Sequence, residues 1–251
     1  MVNMKHQIYF NDIPLPSFVI VKQINTQILA DITNTTVKSN IGYRHKKIEF
    51  GSKLITIDFS LERDGVLSKF EQQQELIQWI KGDDWKESKL ILPDNPNLYY
   101  MAICNNGFDL DYSDIEGEGT IEFLICDPYR YGIQKINIKL SDIDNYNIKL
   151  GTEYSYPKII FDITSDCEEL KLTLKNDKYD NYIRFKHNFL TNDKLIIDMK
   201  TKKITLNGEN KMNILTLDSR YHMLNPNVLN NKYNLEIGNA NITLELQEVF
   251  M

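Results

Sequence analysis

The sequence is short of the features that announce chemistry or a membrane. Its 251 residues hold three cysteines, Cys104, Cys126 and Cys167, and no pair has the close spacing of a zinc knuckle or a redox CxxC. They are expected to be small buried apolar residues. Apolar runs are short as well: "FVIVKQI" and "LIIDM" stop far below the ~20 residues that a membrane span needs. The opening "MVNMKHQIYF" has neither the apolar core nor the small-residue cleavage site of a secretory signal, so synthesis and folding in a cytoplasm are expected. Glycine is scarce, at 11 residues, and the phosphate cradles GxGxxG and GxxxxGK[ST] are missing along with GxSxG and HExxH. The four histidines, His6, His45, His187 and His222, stand near no serine or cysteine in a nucleophilic arrangement. No catalytic, cofactor-binding or metal-ligating residue is nominated, no cofactor is expected, and the chain reads as a non-enzyme.

Clustered positive charge is also lacking in the first half. Through Gly132 there are 13 Lys and Arg against 19 Asp and Glu, whereas residues 133–251 carry 16 of each. A duplex-gripping surface needs clustered cations, so the acidic half should repel nucleic acid.

What is present is strand. With 42% hydrophobic and 11% aromatic residues the chain can bury a substantial core in one large or two ordinary domains. "QIYFNDIPLPSFVIVKQI" reads as a short strand, a turn forced by Pro14 and Pro16, and a second apolar run. In "HKKIEFGSKLITIDFSLER", Ile48 and Phe50 alternate with polar neighbours, Gly51-Ser52 breaks the run and Leu54 to Leu61 resumes it, which predicts a hairpin. A further strand is expected over about 119–126. One helix is predicted over about 66–81, with Leu67, Phe70, Gln74, Ile77 and Ile80 along its buried face, widened by Leu76 and Trp79.

After Gly132 the alternation weakens, and the domain connection is placed at 133–156. From Pro157 the pattern is strands alone: "KIIFDIT", "LKLTLKN", "YIRFKHNF", "KLIIDMK", "KKITLNG", "NILTL", "YNLEIG" and "NITLELQEVF", with "MKTKK" and "GNAN" as hairpin tips. The fold class is therefore mainly β with one helix. Residues 1–132 form a first β domain and 157–251 a β-sandwich or jelly roll.

Two chemical readings compete on this frame. "DLDYSDIEGEGTIE" crowds six acidic residues into 109–122, but a calcium loop started at Asp109 would need glycine at Asp114 and a bidentate glutamate at Thr120. A solvated acidic turn is the better reading. The strand-rich half has no tryptophan, and its tyrosines and phenylalanines are expected to fill a core rather than carry a sugar platform. A cell-wall carbohydrate-binding module or glycan hydrolase built on this half is the alternative function.

The order of a hairpin, "LITIDFSLERDG", a helix ending "LIQWIKGDDWKESKLILPDNPNLYYMA", and "GEGTIEFLICDPYRYG" resembles the amino-terminal domain of the siphophage distal tail proteins, the Dit family of baseplate hubs. "KLIIDMKTKKITLNGEN" and "LNPNVLNNKYNLEI" resemble that family's carboxy-terminal domain. The resemblance implies a β-sandwich-like ring domain followed by a galectin-like sandwich, in a homohexameric ring at the virion tail tip assembled in the host cytoplasm. It implies as partners the major tail tube protein, the trimeric tail-tip protein and a receptor-binding protein or side fibre, with DNA as passing cargo and no membrane. The chain is short for the family and carries no inserted carbohydrate module. Within "DPYRYG", Pro128 ends strand pairing and leads the chain out of the first domain, so Tyr129, Arg130 and Tyr131 are expected to pack at a junction.

Overall fold

"KLITIDFSL" alternates so regularly that one face of the strand must be buried, and the computed structural model shows that face. It describes residues 7–62, 65–107, 111–112, 117–140, 151–175, 180–226 and 232–251. The described residues divide into two compact units, Met1–Arg130 with Met251, and Tyr131–Phe250.

In the first unit the strands are β1 (Tyr9–Phe10), β2 (Ile13–Pro14), β3 (Val19–Thr26), β4 (Ile32–Ser39), β5 (Gly42–Phe50), β6 (Lys53–Leu61), β7 (Ser88–Ile91), β8 (Leu98–Cys104), β9 (Asp111–Tyr112) and β10 (Gly117–Ile125). One sheet runs β2-β1-β7-β8-β10-β6-β3, with β9 against β10. Ile55, Ile57, Phe59 and Leu61 of β6 point to the same core as Ile121, Phe123 and Ile125 of β10. The first turn is made by Asn11 and Asp12, both at positive φ (52° and 61°), rather than by Pro14 and Pro16. Two left-handed residues suit the tight twisted hairpin, and Pro14 sits on the edge strand, where a missing N–H costs nothing.

The helix, α1 (Lys69–Lys81), begins three residues later than the pattern suggested because Ser68 caps it. The Ser68 hydroxyl accepts from the Glu71 amide and Glu71 accepts from the Ser68 amide, a reciprocal capping box. Its buried face is Gln72, Leu76, Trp79 and Ile80. Leu76, Trp79 and Ile80 are as expected, but Gln72 is buried while Phe70 is 66% and Ile77 46% exposed. Gln72 is a residue type that ordinarily faces solvent. Its amide instead donates to the Glu62 carbonyl at 3.0 Å, which pays for burying it. Trp79 packs edge-on to Phe10 and Phe123 and donates its indole N–H to the Ile13 carbonyl at 3.0 Å.

The expected hairpin across Gly51-Ser52 does not form. β5 pairs with β4, a strand that the polar sequence "ITNTTVKS" concealed, around a turn at Gly42 (φ 88°), while β6 pairs with β3 and β10. The Gly51 amide donates to the Asp31 carbonyl at 2.7 Å and closes the base of this arm.

The second unit holds β11 (Arg130–Gly132, the first residue belonging to unit one), β12 (Ile136–Lys139), β13 (Lys158–Ile163), β14 (Cys167–Lys175), β15 (Asp180–Phe189), β16 (Lys194–Asp198), β17 (Ile204–Leu206), β18 (Glu209–Asn210), β19 (Lys232–Ile237), β20 (Ala240–Leu246) and β21 (Val249–Phe250). One sheet runs β12-β20-β13-β16-β17-β18 and a second β15-β14-β19. Ile159 and Phe161 of the first meet Leu170, Leu172, Ile183 and Phe185 of the second in one core, with Phe161 and Phe185 edge to face at 5.8 Å. This is a β-sandwich. Residues 136–139, placed in a connection from their weak alternation, instead add β12 to its edge against β20.

Two further readings change. "NILTL" forms a 3₁₀ turn, Met212–Ile214, with one bridge from Leu215 to Phe185. "MKTKK" does turn β16 into β17, but "GNAN" joins β19 of one sheet to β20 of the other. Gly238 makes that corner at φ 93°, where an added Cβ would lie 2.6 Å from the Glu169 carbonyl oxygen.

Candidate functional site

The cysteines are less buried than expected. Cys104 and Cys167 sit half-buried at strand ends, and Cys126 is exposed one residue beyond β10. Burial raises the Cys104 thiol pKa; for Cys126 desolvation and the neighbouring Glu87 carboxylate raise it too, the opposite of what a nucleophile needs.

The histidines are dispersed. His45 lies on the exposed arm, His187 packs against the Phe189 ring at 5.4 Å, and His6 lies outside the described residues. His222 is buried and bonds Tyr233 Oη through Nε2 at 2.9 Å, while its Nδ1 meets no hydrogen-bond partner among the described residues. Burial pushes its pKa down to about 4, against a smaller opposing effect of the Arg220 backbone.

Much of the acidic stretch, residues 108–110 and 113–116, lies outside the described residues. On its flanks β9 pairs with β10, Glu118 forms an ion pair with Lys22, and the Thr120 hydroxyl donates to Asp58 at 2.6 Å. Among the described residues no group of three or more His, Cys, Asp and Glu could hold a metal ion.

"DPYRYG" is a packing segment. The Arg130 guanidinium lies 4.7 Å from the Tyr100 ring centroid, donates to the Tyr100 hydroxyl at 2.5 Å, and meets Asp94 at 2.6 Å. Lys53, 2% exposed at the start of β6, places its ammonium 6.0 Å from the same ring. Burial and then repulsion from Arg130 lower its pKa. In the second unit, Lys200 covers the Tyr131 ring at 4.8 Å and donates to its hydroxyl at 3.1 Å.

Two surfaces remain. The first is the β4–β5 arm: every residue of both strands except Ser39 is exposed, and among the described residues the two strands pair only with each other. Ile32, Val37, Tyr43, Ile48, Phe50 and the 95% exposed Ile41 at its tip give it apolar surface. From Ile32 to Phe50 it holds four Lys and Arg and one Glu.

The second is a cleft of about 520 Å³ in the sandwich unit. The segments around Ser155 and Leu224 are paired by two backbone bonds of 3.0 and 2.8 Å. Ser155 points inward and donates to the Gln247 carbonyl at 2.8 Å, so its neighbours Tyr154 and Tyr156 face outward, 42% and 44% exposed. Tyr221, Asn181, Asn225 and Lys202 complete the polar lining. The two outward tyrosines escaped sequence reasoning because they lie in the stretch read as a connection and not at strand spacing within a core.

With this geometry in hand, the chain can be set beside known proteins. Residues 3–125 match the family model described as "Phage tail protein RIFT-related domain" and residues 150–250 the one described as "Siphovirus-type tail component, C-terminal domain". The two matches, one on each unit, define a siphovirus-type tail component. The chain belongs to the siphophage distal tail protein (Dit) family. The distal tail protein of Bacillus phage SPP1 is 22% identical over 175 residues, 69% of this chain and 68% of that protein. The crystal structure of SPP1 Dit has the same fold, with a TM-score of 0.77 at 14% identity over 98% of this chain and 99% of that one. A chain of the phage P2 baseplate, in its activated conformation with Ca, aligns with a TM-score of 0.55 at 11% identity over 97% of both chains.

Proposed function

We propose that this protein is the structural hub of a phage baseplate, and that six copies close a ring at the distal end of the tail tube. The hub role is supported by family membership, since the SPP1 relative is described as a hub adsorption apparatus of phages infecting Gram-positive hosts. The observation that carries the ring is the arm. A two-stranded hairpin alone is marginal in water, and this one holds eight and nine residues with apolar side chains outside any core of its own unit. A head-to-tail neighbour supplies the missing surface, and repetition of one such contact closes a ring.

Charge supports the same contact. The arm carries a net +3, and the rest of residues 1–130 holds 9 Lys and Arg against 18 Asp and Glu, so a basic arm meets an acidic body. The acidic remainder also suits a channel wall that DNA passes without sticking. In this reading the tube protein and the tail-tip protein stack on the two faces of the ring, and the sandwich unit docks a receptor-binding protein. The protein is structural and not catalytic, and it works at the virion tail tip. Replacing Ile41 and Tyr43 together by aspartate should abolish self-association in analytical ultracentrifugation while leaving the melting temperature of the monomer unchanged. An assembly that persists undiminished would exclude the arm as the interface.

A further inference from the structure

We propose that the tyrosine-lined cleft of the sandwich unit binds a pyranose ring of a surface glycan. Its volume of about 520 Å³ falls within the roughly 300–1,000 Å³ of small-molecule sites. The lining is that of a sugar site. Tyr154 and Tyr156 bring two half-exposed aromatic rings to the lining, the side-chain type that covers the C–H face of a pyranose, and each carries a hydroxyl for hydrogen bonding. Asn181 and Asn225 each present a donor and an acceptor, the pairing that adjacent sugar hydroxyls need.

The site is organised before any ligand arrives. Asn225 Nδ2 donates to the Tyr154 hydroxyl at 3.3 Å, and the Tyr221 hydroxyl donates to the Lys202 carbonyl at 3.2 Å. Lys202 itself is fixed in a left-handed turn (φ 59°), its ammonium 5.8 Å from the Tyr221 ring centroid. His222 forms part of the wall, buried and neutral at physiological pH, with Nε2 tied to Tyr233. Tyr154, Tyr221 and Asn225, held in this way, lose little freedom on binding.

The lining also separates binding from cleavage. Among the described residues no carboxylate lines the cleft, whereas glycoside hydrolysis uses two flanking the scissile bond. The site therefore retains a sugar without hydrolysing it. Lys202 adds a cation to the described lining and admits an acidic sugar as well as a neutral one.

The inference does not depend on ring closure, and the oligomeric state can be read on the same sample. Saturation-transfer NMR on the full chain, with chitotriose and maltotriose as neutral probes and trigalacturonate as an acidic one, should show transfer to at least one of them. Tyr154→Ala with Tyr156→Ala should weaken that binding at least about tenfold, as loss of a central aromatic anchor does. Asn225→Ala, a milder change, should weaken it several-fold if the double variant does not fold. Absence of transfer to all three probes would overturn the proposal. So would undiminished transfer in a folded variant, or transfer to free phenol with none to the sugars.

Discussion

His222 is a buried titratable residue. Its folded pKa of about 4, against an ordinary 6.5, means that the native unit excludes a proton which the unfolded chain takes up. Its contribution is complete above pH 6.5 and is lost as pH falls towards 4, about 3 kcal/mol over that window. Urea melts of the sandwich unit at pH 7 and pH 4.5 should therefore converge in His222→Gln relative to wild type. An unchanged pH dependence would show that the imidazole is not held neutral. Gly238 is the second decisive residue. Alanine there must adopt φ 93° with its Cβ against the Glu169 carbonyl, so Gly238→Ala should destabilise the unit by at least about 2 kcal/mol in the same measurement. Neither role was legible in the sequence. A lone histidine and a glycine between two strands look the same whether they face solvent, a core or a second sheet.

At the scale of elements, the sequence exposed those whose burial follows their own period. β6, β10 and β13 to β17 alternate in sequence as they do in space. The arm was hidden for the opposite reason: β4 and β5 bury neither face, so "ITNTTVKS" carries no alternation, and the short alternation of Ile48 and Phe50 pointed to β6 rather than to β4. The helix was visible as an element, but its face only in part. Leu76, 1% exposed, and Ile77, 46% exposed, are equally apolar letters one position apart. Leu76→Asp places an unpaired charge in the core, a cost of several kcal/mol against a total of ~5–15, and should unfold the first unit. Ile77→Asp should cost less than about 1 kcal/mol. Circular dichroism melts of the two variants separate these outcomes, and equal damage from both would mean that the helix is rotated from the face described. Ser68→Ala, which removes the cap, should cost about 1 kcal/mol.

On the scale of the whole molecule, the two units have separate cores, one drawn from Ile8 to Ile125 and the other from Ile138 to Leu246. Calorimetry on the wild type should show two transitions, and Leu76→Asp should abolish one and leave the sandwich transition in place. Simultaneous loss of both would join the two units into one folding domain. The family resemblance was legible along the chain because strand order and spacing persist where identity has fallen to 14%. The proposed ring was not, because a closed assembly would depend on a surface contact that no periodicity within one copy encodes.

Native mass spectrometry of the purified full chain across a range of concentrations tests the hub account most directly. The account predicts a species of six times the 29.4 kDa chain mass, growing at the expense of monomer as concentration rises. A dimer that saturates and goes no further would contradict it.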